Sequence, residues 1–215
     1  MNDRLYVLVE GNGELEAAPA LIRRLINEYH KPSKFDLSIK ARSAKGNGNI
    51  TRHLERMLAG FAGLADCKAL LILLDAEKDH CLCPPKFARE LAARVEAQHL
   101  RFPVAIVCAC CEYESWFLVS LKTIADKWLV PNTTYKGNPD EECSAKEWLG
   151  RYMRSDEGYN PPRDQVKMTF DLDIDHTIHN SRSFRRMANA VKELLTAIDE
   201  NTNLVTPRSK ASAEE

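Results

Sequence analysis

The sequence predicts an α/β protein built on a doubly wound, mostly parallel four-stranded sheet, flanked by helices and carrying a C-terminal helical elaboration. Three observations predict it. Strand-like and helix-like segments alternate through the first half of the chain as β-α-β-α-β-α-β. The run Ala69 to Leu74 is apolar on both faces, as a central parallel strand with helices on either side must be. Finally, three apolar stretches run straight into carboxylates: RLYVLVEGNGELE, ALLILLDAEKD and FPVAIVCACCEYE. Ligands of open parallel sheets bind in the crevice beyond the carboxyl ends of the strands. Acids that follow different strands therefore meet at one edge.

Residues 4–9 form the first strand, and Gly11 and Gly13 make the turn after it. Glu14 to Tyr29 is helical, with Leu15, Ala18, Leu21, Ile22, Leu25 and Ile26 as an apolar stripe. Phe35 to Ala41 reads as the second strand, and residues 42–49 as a polar, glycine-containing mobile loop. A helix from Thr51 to Gly60 carries Leu54, Met57 and Leu58. After the central strand, Pro84 and Pro85 open a helix to about His99, where a missing N–H costs nothing. Phe102 to Ala109 is the fourth strand, with Pro103 tolerated at its start.

Beyond Glu112 the character changes. Residues 114–128 read as one helix, 131–142 as a polar loop, and Ser144 with Glu147 as a capping box for a helix to Met153. Ser183 is the expected cap of a last helix from Phe184 to Ile198. The expected division is 1–119 as an α/β catalytic core, 120–200 as a helical extension packed on it, and 201–215 as a polar, disordered tail.

The chain has 215 residues and a formal net charge of -1, so no global basic field marks a nucleic-acid partner, although a local positive stripe would suffice for one. Met1-Asn2-Asp3-Arg4 leads directly into a strand and no long apolar run follows, so a soluble, cytoplasmic protein is expected. The seven cysteines are read as reduced thiols, with Cys108, Cys110 and Cys111 as small buried hydrophobes. A zinc site from His80, Cys81, Cys83 and the Cys108–Cys111 group is the weaker alternative, because CxC spacings are not the usual CxxC.

The acids carry the chemistry. The expected metal set is Glu10, Asp75, Glu77, Glu112 and Glu114, with Glu10, Asp75 and Glu77 as the catalytic group. Asp75, Glu77 and Asp79 are spaced by two and share one side if the chain stays extended. Clustered anions repel unless a cation sits among them, and hard oxygen ligands suit Mg²⁺ or Mn²⁺. Such an ion polarises a phosphodiester and lowers the pKa of bound water. Any single acid past a strand end is more often merely solvated. Three clusters abutting three apolar strands are harder to dismiss.

These residues resemble the TOPRIM domain, a Rossmann-like catalytic fold shared by topoisomerases, primases and several nucleases. Its glutamate after the first strand is matched by Glu10 in Val9-Glu10-Gly11, and its DxD-type motif by Asp75-Ala76-Glu77, with Glu in place of the second Asp. More narrowly, the chain resembles a bacterial TOPRIM-like family of unknown function, number 4276 in that series. The matching elements are Val9-Glu10-Gly11, Leu74-Asp75-Ala76-Glu77, Glu112-Tyr113-Glu114-Ser115-Trp116 and Ser181-Arg182-Ser183-Phe184. The resemblance implies a metal-dependent nuclease of bacterial phage defence, often encoded beside an ABC or SMC-like AAA ATPase.

Phosphate contacts are expected from Arg42 and Lys45 in the glycine-containing loop, from Lys136 and Lys167, and from Arg182 and Arg185 at a helix start able to hold phosphate. Trp116, Trp128 and Trp148 read as core, and His176 and His179 as surface residues. Three functions stay open: a Mg²⁺-dependent endonuclease cutting DNA or RNA, an aspartyl phosphotransfer or phosphatase module using Asp75, and a catalytically silent subunit of an ATPase complex.

Overall fold

A computed structural model describes residues 3–29, 37–76 and 84–208. Five parallel strands form one open sheet: β1 (Arg4–Val9), β2 (Ser38–Ser43), β3 (Cys67–Ala76), β4 (Val104–Cys110) and β5 (Val205–Thr206), in the order β2-β1-β3-β4-β5. The chain adds strands on one side of β1 and then on the other. The order therefore reverses between β1 and β3, and the switch point, where ligands of such sheets bind, lies beyond the ends of these two strands.

Alternation along the strands builds two cores. Leu5, Val7 and Val9 of β1 share one with Leu71 and Leu73 of β3 and Val107 of β4, facing α1 (Glu14–Arg24) and α9 (Arg182–Glu200). Tyr6, Leu8, Ile72, Leu74 and Ile106 point the other way, onto α2 (Asn47–Ala62) and α3 (Pro84–Glu96). Asp75 has the parity of Leu71 and Leu73, so its side chain emerges on the face of α1 and α9.

The sheet has five strands where the sequence predicts four. The chain after Asn201 does not trail away: Val205 and Thr206 pair with Val104 and Ala105. Two residues are too few to show an alternating pattern. Residues 209–215 lie outside the described part. β2 runs from Ser38 to Ser43, two residues past the expected end, while the expected start at Phe35 lies outside the described residues. Arg42 and Ser43 thus belong to a strand and Asn47–Asn49 to α2, which leaves only a short turn of the anticipated loop.

In the second half, the predicted 114–128 helix is broken at Ser120 (φ -91°, ψ 25°) into α4 (Ser115–Val119) and α5 (Leu121–Trp128). α6 (Ala145–Tyr152) follows Ser144, but the Ser144 hydroxyl bonds the Glu142 carboxylate instead of capping the helix. α7 (Val166–Phe170) and α8 (Ile174–Asn180) are short. The cap of α9 is Ser181, whose oxygen accepts the Phe184 N–H at 3.1 Å. Ser183, the expected cap, turns inward instead and accepts the Trp116 indole N–H at 2.9 Å.

Candidate metal centre

Glu10 leaves β1 at the switch point, where Gly11 turns the chain. Its Oε2 accepts the Asp75 N–H at 3.4 Å, so the acids after β1 and on β3 adjoin. Its carbonyl accepts the Gly46 N–H at 2.9 Å, which draws the turn after β2 to the same rim. Glu14 opens α1 as a buried residue and accepts the Gly11 N–H at 2.9 Å.

Asp75 is 7 % exposed. Oδ1 accepts the Tyr113 N–H at 2.9 Å, Oδ2 accepts from Lys146 Nζ at 3.1 Å, and its carbonyl accepts the Asn47 side-chain amide at 3.0 Å. The turn after β4 contributes two more acids. Glu112 accepts the Lys146 backbone N–H at 2.9 Å and lies 3.9 Å from Nζ. Glu114 is fully buried; Oε1 accepts from the Tyr159 hydroxyl at 2.9 Å and Gln165 Nε2 at 3.2 Å. Its Oε2, 3.6 Å from Lys146 Nζ, has no hydrogen-bond partner. Gln165 Nε2 also reaches Glu14 at 3.4 Å, closing the ring of contacts from α1 to the residue just before α7. Gly13 makes room for it, since a Cβ there would collide with Gln165 Oε1 and lie 2.8 Å from Pro161 Cβ.

Lys146 is thus the cation that the fold delivers among these acids. Burial alone would lower its pKa, yet Asp75, Glu114 and Glu112 outweigh that and hold it well above the usual lysine value. The carboxyls move up as well. Burial raises Asp75 to about 7 and Glu114 to about 8 despite Lys146, with neighbouring acids adding to the rise, and burial raises Glu112 too. Among the described residues, the Lys146 ammonium serves Asp75, Glu112 and Glu114, with Glu10 and Glu14 close behind.

Among the described residues, no three His, Cys, Asp or Glu side chains stand as a ready-made ligand set for an ion. The donor chemistry nonetheless suits a hard divalent cation: every candidate donor is a carboxylate oxygen, and Glu114 Oε2 is buried and unsatisfied. Asp75, Glu114, Glu112 and Glu10 are the residues that would hold it. Glu77 and Asp79 lie outside the described residues, as do His80, Cys81 and Cys83 of the alternative zinc site. Cys108 is buried in the core, and Cys111 is bonded to Cys143, so the reading of all cysteines as free thiols is corrected.

The predicted phosphate contacts are dispersed. The Arg42 guanidinium lies over the rings of Tyr6 (5.2 Å) and Phe61 (5.3 Å), on the α2 side of the sheet. Lys45 is exposed in the turn bonded to Glu10, while Lys136, Lys167, Arg182 and Arg185 are exposed on the C-terminal half. The start of α9 does not offer an anion site. The Asp140 carboxylate already accepts the Arg182 N–H at 2.8 Å and the Ser181 hydroxyl at 2.7 Å, so the expected phosphate cradle there is filled by the protein itself. His176 and His179 are exposed on α8 and bond within it.

Lys146, Glu14, Tyr159 and Gln165 are parts of the cluster absent from the sequence-based set. Glu14 was within reach of sequence reasoning, four residues after Glu10 in the same acidic segment. Lys146 was not, because nothing in a helix 71 residues beyond Asp75 announces the pairing.

No curated protein and no solved structure matches this chain. A family described as Domain of unknown function (DUF4276) matches residues 9–192, from the end of β1 into α9 and across every residue of the acidic cluster. The chain belongs to the DUF4276 family.

Proposed function

We propose that this protein is a Mg²⁺- or Mn²⁺-dependent endonuclease that hydrolyses phosphodiester bonds of DNA or RNA. The observation that supports this best is the meeting of Asp75, Glu112 and Glu114 around Lys146, with Glu10 bonded to the Asp75 N–H, at the switch point of the sheet. A divalent ion bound there would polarise the phosphodiester and acidify a water. The remaining tasks fall to the chain itself. Tyr113 N–H fixes the Asp75 carboxylate, and Asn47 fixes the backbone that carries it. Lys146 sets an ammonium beside the acids, where it would meet a phosphate oxygen and offset its charge. Control by a partner ATPase and a part in phage defence belong to this proposal through the TOPRIM-like resemblance alone.

One observation favours a second reading, an aspartyl phosphotransfer module: Lys146 Nζ bonds Asp75 Oδ2, as a lysine would that steadies a phosphoryl group on an aspartate. Burial of Asp75 places it second, because a nucleophile needs an open line of approach.

The test is to incubate the purified full chain with plasmid and total RNA in Mn²⁺, with a chelator control. Wild type is expected to cut. Glu10→Gln and Asp75→Asn are each expected to lose at least about 100-fold while remaining folded by circular dichroism. If both variants cut like wild type, the assignment is wrong. A stable phosphoryl-aspartate formed from a small phosphodonor, without cleavage, would favour the second reading.

A further inference from the structure

The Cys111–Cys143 disulfide joins the segment that carries Glu112 and Glu114 to the one that carries Lys146. Cys111 directly precedes Glu112, and Cys143 lies three residues before Lys146. The chain at Cys111 is left-handed (φ 61°), a conformation costly for a side chain that is neither Gly nor Asn. That turn sends the Glu112 N–H back to the Cys110 carbonyl at 2.9 Å and aims the Tyr113 N–H at Asp75. On the other side, the segment before α6 meets the site through the Glu142 carbonyl, which accepts from Ser115 Oγ at 3.1 Å, and through the Lys146 backbone N–H, which Glu112 accepts; the Glu142 carboxylate also accepts from the Tyr135 and Ser144 hydroxyls. α6 has only eight residues and lacks a side-chain cap. Both bonded cysteines are partly exposed, within reach of small reagents, and Cys110 next door remains a free thiol.

We propose that this disulfide is a redox latch that holds Lys146 and Glu112 in the acidic cluster, and that its reduction releases α6 from the site. A dithiol would open it: one thiolate attacks a sulfur of the pair, the second closes the reagent's own disulfide, and two protons and two electrons end on Cys111 and Cys143. A peroxide would close it again: the two thiols give up two electrons and two protons, and the peroxide leaves as two waters. Reduction leaves the acids with a looser ammonium and the turn at Cys111 without its anchor, so divalent-cation affinity is expected to change with redox state. This last consequence rests on the nuclease reading; the latch itself does not.

The experiment uses the full chain, oxidised with peroxide or reduced with dithiothreitol. Peptide mapping locates the bond, and amide hydrogen exchange follows the backbone. The oxidised protein should give a Cys111–Cys143 peptide. Reduction, or Cys143→Ser, should speed exchange in 112–116 and 145–152 at least tenfold and leave β1 and the middle of α9 unchanged. Cys110→Ser should keep both the bond and the slow exchange, which separates the latch from general loss of structure. Pairing of Cys111 or Cys143 with Cys110, absence of any bond after peroxide, or equal exchange in the two states would each overturn the latch. A Mn²⁺ titration of both states tells the two proposals apart. No binding in either state, with the exchange difference intact, would count against the nuclease reading and leave the latch standing.

Discussion

Lys146 decides how the cluster can exist without an added ion. Its ammonium offsets part of the burial that raises Asp75 and Glu114, while the neighbouring acids add to the rise. Lys146→Met should destabilise the protein by about 2 kcal/mol at pH 8, less than for a fully buried pair because the ammonium is partly solvated. At pH 5 the cost should shrink, since the acids are then neutral and lose little with the cation. Urea denaturation at the two pH values checks this; equal losses would mean that Lys146 does not compensate these acids.

The elements carry the acids to the rim and hold them there, and much of this was legible in the sequence. The apolar runs of β1, β3 and β4 and the acids directly after them locate the crevice edge, because strand polarity and a switch point leave no other place for those side chains. The inward-facing roles in the second half were not legible. Ser183 and Ser181 are both good caps by type, and only the position of Trp116 on α4 decides which one turns inward. Lys146 and Gln165 lie on short elements and Tyr159 in the connection between them, where no periodicity fixes a facing direction. Ser183→Ala should therefore cost about 1–2 kcal/mol by leaving the buried Trp116 N–H without its acceptor. A loss near zero in thermal denaturation would show that the N–H finds another partner.

At the scale of the whole molecule, these carboxyls set the dependence of stability on pH. Asp75 and Glu114 titrate at about 7 and about 8 in the folded protein, well above ordinary unfolded carboxylates. Between roughly pH 4.5 and 8 the folded state therefore holds protons that the unfolded chain has released, and stability falls as pH rises across that window. Lys146 adds no slope there, being charged in both states. Asp164 and Glu55, held low by Arg163 and Arg94, act only in more acid solution, where stability is lost as pH falls. Denaturation from pH 5 to 8 without divalent ions should show the decline; a rise toward pH 8 would refute the late titration of Asp75 and Glu114.

The most direct test of the central claim is calorimetric titration of Mn²⁺ into the full chain at pH 7.5, beside Asp75→Asn and Glu10→Gln. Saturable binding to wild type is expected, with at least about tenfold weaker binding to each variant. No saturable binding to wild type, or equal binding to all three, would contradict it.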